Sequence, residues 1–101
     1  MAEELAAVDG DGIKPEGGHS SGGELIVEGA KTVLVNNIAI VTHETKANPD
    51  NIGHQNDEVK TKSGSWSETV FAYNKHVHRN NDERNCGAKT KVTHQSTVFV
   101  G

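Results

Sequence analysis

The sequence predicts an all-β domain of three similar hairpins set round a pseudo-threefold axis, and three observations carry that prediction. A unit recurs: Lys31-Thr-Val-Leu-Val-Asn-Asn-Ile-Ala-Ile-Val-Thr42 aligns without a gap on Glu68-Thr-Val-Phe-Ala-Tyr-Asn-Lys-His-Val-His-Arg79, and Ser96-Thr-Val-Phe-Val-Gly101 repeats the first half of both. Each copy opens on a Thr-Val-Leu or Thr-Val-Phe run of high β propensity. The polar stretches between the copies hold no 3.6-residue apolar pattern, so no helix is expected. Residues 1–101 are read as one domain.

In chain order, the first element is a strand over residues 5–8. Ala6-Ala-Val-Asp-Gly-Asp11 lines up with Val77-His-Arg-Asn-Asn-Asp82, which places Asp11 where the second copy has Asp82. The third copy stops before its return strand and would leave an open edge. Residues 5–8 are therefore expected to pair with residues 97–100 and close the chain like a ring. A glycine-rich loop with Pro15 spans residues 9–23. The first hairpin follows, turning at Asn36-Asn37, because asparagine tolerates the positive φ of a type I′ turn. A second polar loop, residues 44–65, contains Pro49. The second hairpin has strands 69–72 and 75–79 around Tyr73-Asn74, and the two-residue period sends His76 and His78 to one face. The third loop, residues 80–91, carries Cys86. Loops of this length without structure call for a reason.

Composition limits what such a fold can do. Only 33% of residues are apolar and four are aromatic (Trp66, Phe71, Tyr73, Phe99), so the core is small, with Trp66 and Phe71 expected to fill it. A chain this size needs a further source of stability, for which a bound metal is a candidate. The net charge of −4 with no basic stripe argues against nucleic acid or an anionic membrane as partner. There is no run of 18 apolar residues, and the first residues are acidic where a secretory signal is basic, so synthesis in the cytoplasm is expected. One cysteine makes no internal disulfide; it is a buried thiol, a metal ligand or a nucleophile.

Each long loop carries one potential ligand: His19, His54 and Cys86. Zinc favours a tetrahedral set of nitrogen and sulfur donors, and a closed set of four is structural because no position remains for a substrate. The compact ligand spacing of a zinc finger is absent. His43 competes with His54, while His76 and His94 are expected on solvated faces. Asp9, Asp11, Asp50, Asp57 and Asp82 do not form a calcium loop, and loop aspartates bond their own backbone. Cys86 with His78 resembles a thiol and base pair but lacks an orienting third residue. The stretch 17–23 lacks the lysine and following helix of a phosphate loop.

Gly18-His-Ser-Ser-Gly-Gly, the two Thr-Val hairpins, Val77-His-Arg-Asn-Asn-Asp, Asn85-Cys-Gly-Ala and the closing Gln95-Ser-Thr-Val-Phe-Val-Gly recur in an order and spacing that resembles PAAR-repeat proteins, particularly those at the spike tip of phage contractile tails. The likeness covers nearly the whole chain. It departs at Gly53-His-Gln-Asn, where many members carry a Cys-Pro pair, and in having Asn-Asn for Asn-Gly or Gly-Asp. The resemblance implies a small β cone whose base caps a trimeric β-helical spike protein (VgrG-like or phage central spike), one tip per trimer. Its apex would be fixed by one structural metal ion, zinc or else iron, on His19, His54, His78 and Cys86. Thr32, Val33, Thr69, Val70, Thr97 and Val98 would line the base. The implied function is that of a non-enzymatic membrane-piercing tip of a contractile injection machine, phage or type VI secretion-like. Such a tip is a monomer by itself, sits in the virion baseplate and meets the host cell envelope during injection. The residues alone leave a second reading, a small soluble metal-binding or thiol-dependent catalytic domain using Cys86 and histidines.

Overall fold

A computed structural model describes residues 3–16, 19, 22–28, 32–48 and 59–101, and these form short strands and turns with no helix among them. In chain order the strands are β1 (Glu4–Leu5), β2 (Gly12–Ile13), β3 (Leu25–Ile26), β4 (Leu34–Val35), β5 (Ile38–Ala39) and β6 (Lys46–Ala47). They continue with β7 (Val59–Lys60), β8 (Phe71–Ala72), β9 (Lys75–His76), β10 (Thr90–Lys91) and β11 (Phe99–Val100). The all-β class expected from the sequence is found.

Turn chemistry makes the two local hairpins. β4 pairs with β5 across Asn36 (φ 52°) and Asn37 (φ 68°), and β8 pairs with β9 across Tyr73 (φ 55°) and Asn74 (φ 61°). Two left-handed residues in succession match the twist of the flanking strands. For tyrosine that conformation costs about 1 to 2 kcal/mol. Its hydroxyl offsets the cost by accepting from the backbone N–H of Thr32 (2.7 Å) and Val33 (2.6 Å), which ties the second turn to the entry of the first hairpin. In the same manner Asn36 Nδ2 donates to Thr97 Oγ1 at 3.0 Å.

The third pair joins the two ends of the sequence. β1 runs antiparallel to β11 with Leu5 opposite Phe99 and Glu4 opposite Val100, and Ala6 N–H donates to Val98 C=O at 3.0 Å. The two ends pair as the repeat implied, but over residues 4–6 and 98–100 rather than 5–8 and 97–100, because Val8 bridges Ile40 instead. Ladders are shorter than the runs 69–72 and 75–79, because each inner strand leaves its partner and turns to another neighbour. Ala6 bridges Arg79, Ile40 bridges Val8, and Val77 bridges Thr42.

Between those bridges lies a closed circuit of three hydrogen bonds. Val41 N–H donates to Ala7 C=O (3.0 Å), His78 N–H to Val41 C=O (2.9 Å) and Ala7 N–H to His78 C=O (2.9 Å). All three residues are buried, and buried backbone groups must be paired; three strands too short for a ladder satisfy one another in a ring. The pattern continues outward in threes. Asp9, His43 and Asn80 donate to the carbonyls of Ala39, His76 and Leu5. The chain then turns through left-handed Gly10, Glu44 and Asn81, and Ile13, Ala47 and Arg84 pair with Thr90, Leu25 and Thr61. Asp11 and Asp82 hold matching turns, each accepting at 2.8 Å from the backbone N–H three residues earlier, of Val8 and Arg79.

Two apolar clusters flank the circuit. Ala6, Val8, Val35, Ile40, Ala72, Val77 and Val100 form one among the hairpins; Ala7, Leu25, Val41, Ala47, Val59 and Val92 form the other. The alternation of Ala6, Ala7 and Val8 between them is the two-residue period of a strand. Three expectations are corrected here. Phe71 is not core, being 53% exposed, and Trp66 is only half-buried. The loops are not without structure, since β2, β6, β7 and β10 fall inside them.

Candidate functional site

The hairpins expose three large apolar side chains at matching positions. Leu34, Phe71 and Phe99 occupy the same place in the three copies, and they are 50%, 53% and 52% exposed. Their neighbours Val35, Ala72 and Val100 point the other way, into the core. Of the residues expected at the base, Thr32, Val33, Thr69, Thr97 and Val98 are exposed, whereas Val70 is half-buried against the hairpin cluster. Leu34, Phe71 and Phe99 were not among the residues named for the base, yet their exposure could be foreseen. The signal lay in the repeat: a large apolar residue next to a buried small one in all three copies can face the core only if the alternation fails.

The four residues implied as metal ligands are placed differently from one another. His54 lies outside the described residues. His19 is half-buried, with its N–H donating to Glu16 C=O at 3.0 Å. Cys86 is half-buried in a tight turn closed by Gly87 N–H to Arg84 C=O, and packs beside the second apolar cluster. His78 is 1% exposed, in the hydrogen-bonded circuit itself. Among the described residues no three His, Cys, Asp or Glu side chains gather as a metal-holding group.

His78 has one ring nitrogen in a hydrogen bond and the other, Nδ1, buried with no hydrogen-bond partner among the described residues. Its Nε2 lies 2.7 Å from Thr90 Oγ1, and the same oxygen receives Arg84 Nε–H at 3.1 Å. Burial, then the positive charges of Arg84 and Arg79, push the imidazole down to a pKa of about 3, so it is neutral at physiological pH. Arg84 is itself buried. Its guanidinium donates to the carbonyls of Gly12 (2.9 Å), Asp11 (3.3 Å) and Gly23, joining β2 to the approach to β3. The Nε2 of His78 is engaged with the hydroxyl of Thr90 and not with Cys86.

The remaining histidines also have partners. His76, expected on a solvated face, is half-buried; its Nδ1 is 2.7 Å from Ser67 C=O and its ring stacks on Trp66 at 4.2 Å. His43 packs edge-on against the same indole at 4.6 Å. His94 is exposed as expected, but its Nδ1 lies 2.9 Å from the buried carboxylate of Asp11, which also accepts from the N–H groups of Thr93 and His94. Aspartates in the turns thus bond nearby backbone. No protein-family model matches the chain, and no curated protein matches it at a significant level.

Proposed function

We propose that this chain is a PAAR-like tip, a monomer that caps the end of a trimeric β-helical spike in a contractile injection machine. The observation that carries the reading is the set of outward-facing Leu34, Phe71 and Phe99 on hairpin positions tied into one hydrogen-bonded circuit. A single chain with three near-equivalent apolar contacts meets a threefold partner without a symmetry mismatch. Large apolar anchors of this kind carry most of the energy of an interface. The hairpins then form the base of a small pseudo-threefold cone, and the loops run toward its narrow end. Thr32, Val33, Thr69, Thr97 and Val98 rim the contact.

The role is mechanical rather than catalytic. Sheath contraction drives the spike into a cell envelope, and the tip concentrates force on a small area. A metal ion held by His19, His54, His78 and Cys86, most simply zinc, would supply a cross-link where few residues remain to form a core. The protein is made in the cytoplasm and carried in the baseplate of a virion or related apparatus.

The test is co-expression with the trimeric spike protein of the same genome and mass measurement of the purified complex. One tip per three spike chains is expected, and Phe71→Asp combined with Phe99→Asp should abolish the complex while the isolated tip keeps its melting temperature. Three tips per trimer, or undiminished binding by the double variant, would overturn the reading.

A further inference from the structure

We infer that Lys14 and Asn81 become joined by an intramolecular isopeptide bond, formed by the folded chain itself with Glu4 as the acid–base group. The observation is the meeting of three side chains from separate parts of the sequence. Lys14 Nζ lies against Asn81 Oδ1, and Asn81 Nδ2 donates to Glu4 Oε2 at 3.2 Å. Asn80 Nδ2 donates to the other oxygen, Oε1, at 3.4 Å. Donor chemistry fixes which way the carboxamide of Asn81 points. A lysine ammonium only donates and an ionised carboxylate only accepts, so the C=O faces Lys14 and the NH2 faces Glu4. An amine is therefore set at the carbonyl of an amide whose leaving nitrogen is held by a carboxylate. Among the described residues no carboxylate forms an ion pair with Lys14 that would draw its amine away.

The backbone holds all three residues in place. Lys14 follows β2, whose Ile13 faces Thr90 of β10, and its N–H donates to Lys89 C=O at 2.9 Å. Asn81 sits in a left-handed turn at φ 74°, where its N–H donates to Thr90 C=O at 2.9 Å. Glu4 faces Val100 in β1, and the next residue, Leu5, accepts from Asn80 N–H at 2.8 Å. Each of the three side chains belongs to a half-buried residue. Well-oriented intramolecular reactions reach effective concentrations of about 10⁵ to 10⁸ M, which brings an amide, ordinarily inert toward amines, within reach of attack.

The step balances as follows. The Lys14 ammonium gives one proton, through water, to Glu4. The free Nζ attacks Cγ of Asn81 and forms the new C–N bond; Glu4 returns its proton to Nδ2, the Cγ–Nδ2 bond breaks and ammonia leaves. The ammonia takes the surplus proton from Nζ, so the products are a secondary amide and an ammonium ion, with Glu4 again a carboxylate. The bond closes residues 14–81 into a covalent ring and, like a disulfide across a long loop, constrains the unfolded chain. It stands on geometry alone and needs neither the metal nor the spike of the proposed function.

Intact-mass spectrometry of the denatured, tag-free full chain tests it. The expected mass is that of the sequence less one ammonia, and a tryptic digest should yield a branched peptide joining Lys14 to Asn81. Lys14→Arg and Glu4→Gln, shown to be folded by circular dichroism, should each have the full mass of their own sequence. Folded wild-type protein at full mass would overturn the inference. So would a missing ammonia that persists in Lys14→Arg, since a succinimide at an asparagine loses the same mass without the lysine. A branched peptide undiminished in Glu4→Gln would overturn the role of Glu4. If either variant does not fold, the branched peptide of the wild type, present or absent, decides whether the bond exists.

Discussion

The hairpin half and the loop half of the molecule are built from the same threefold pattern of backbone bonds, yet they are filled differently. Around the hairpins the interior is Ala, Val and Ile, with alternate large residues turned outward. Around the loops the buried set includes Asp11, Thr61, His78, Asp82, Arg84 and Thr90 beside an aliphatic cluster of similar size. The difference shows how a chain with 33% apolar residues spends them. It places an aliphatic cluster in each half, and in the loop half adds buried polar side chains that satisfy backbone groups. The polar half gains directional bonds and loses tolerance, because a buried polar group left without a partner costs about 1 to 3 kcal/mol.

The largest effect should come from breaking what the halves share. Deleting residues 1–8 removes β1, the Ala7 member of the circuit and the partner of β11. The expected product is unfolded or aggregated, as an exposed β edge would make it. A deletion variant that stays soluble and melts with the intact chain would show that the circuit is dispensable.

Next in size is crowding the loop half alone. Gly23 and Gly64 both have positive φ, +67° and +92°, but an added Cβ meets Arg84 and Ile13 at the first and nothing within 4 Å at the second. Both alanine variants suffer the backbone cost of about 1 to 2 kcal/mol. Only Gly23→Ala adds overpacking, of about 1 to 3 kcal/mol. Thermal melts should place Gly23→Ala roughly 5 °C or more below Gly64→Ala. Equal melting temperatures would mean the guanidinium is not tightly seated.

A smaller and pH-dependent effect follows from His78. Its pKa falls from 6.5 to about 3 on folding, so below 6.5 the unfolded chain binds a proton that the folded ring refuses. Stability is therefore undiminished above pH 6.5 and declines as the pH drops toward 3. His78→Asn removes that dependence. The gap in stability between wild type and variant, read from denaturant curves, should narrow steadily from pH 7 to pH 4. A gap that stays constant or widens would contradict the neutral buried imidazole. The smallest effect belongs to the hairpin half: Tyr73→Phe removes a hydroxyl that accepts from Thr32 and Val33. It should cost about 1 kcal/mol or less in an exposed turn, with the loop half unchanged by hydrogen exchange.

Local chemistry and repetition made the hairpin half legible in the sequence. Asn36-Asn37 announces its turn, and three copies of Thr-Val followed by Leu or Phe announce the strands. An incomplete third copy with a matching N-terminal run announces the closing pair. Tyr73 was legible only by alignment, since nothing in tyrosine favours positive φ. The loop half was opaque for the opposite reason. Arg84 sits in Asn-Asp-Glu-Arg-Asn, a string that reads as solvated, and its burial depends on carbonyls of Asp11, Gly12 and Gly23 more than sixty residues away. His78 was visible as a strand residue, but the partner of its ring nitrogen is set by tertiary contacts that spacing does not encode.

The closing pair between β1 and β11 makes the fold indifferent to where its covalent chain is cut. Val100 faces Glu4 as Val35 faces Ile38 and Ala72 faces Lys75. Gly101 and Glu3 therefore hold the two turn positions that Asn36 and Asn37, or Tyr73 and Asn74, hold in the other copies, and Gly101 lies beside Thr69 as Asn36 lies beside Thr97. Joining Gly101 directly to residue 3, with glycine replacing Glu3 to suit the turn, would turn this open pair into a two-residue hairpin. New termini could then be opened between Asn36 and Asn37. The circularly permuted gene product keeps every strand pair named above, and its order of synthesis would begin in what is now the middle of the first hairpin.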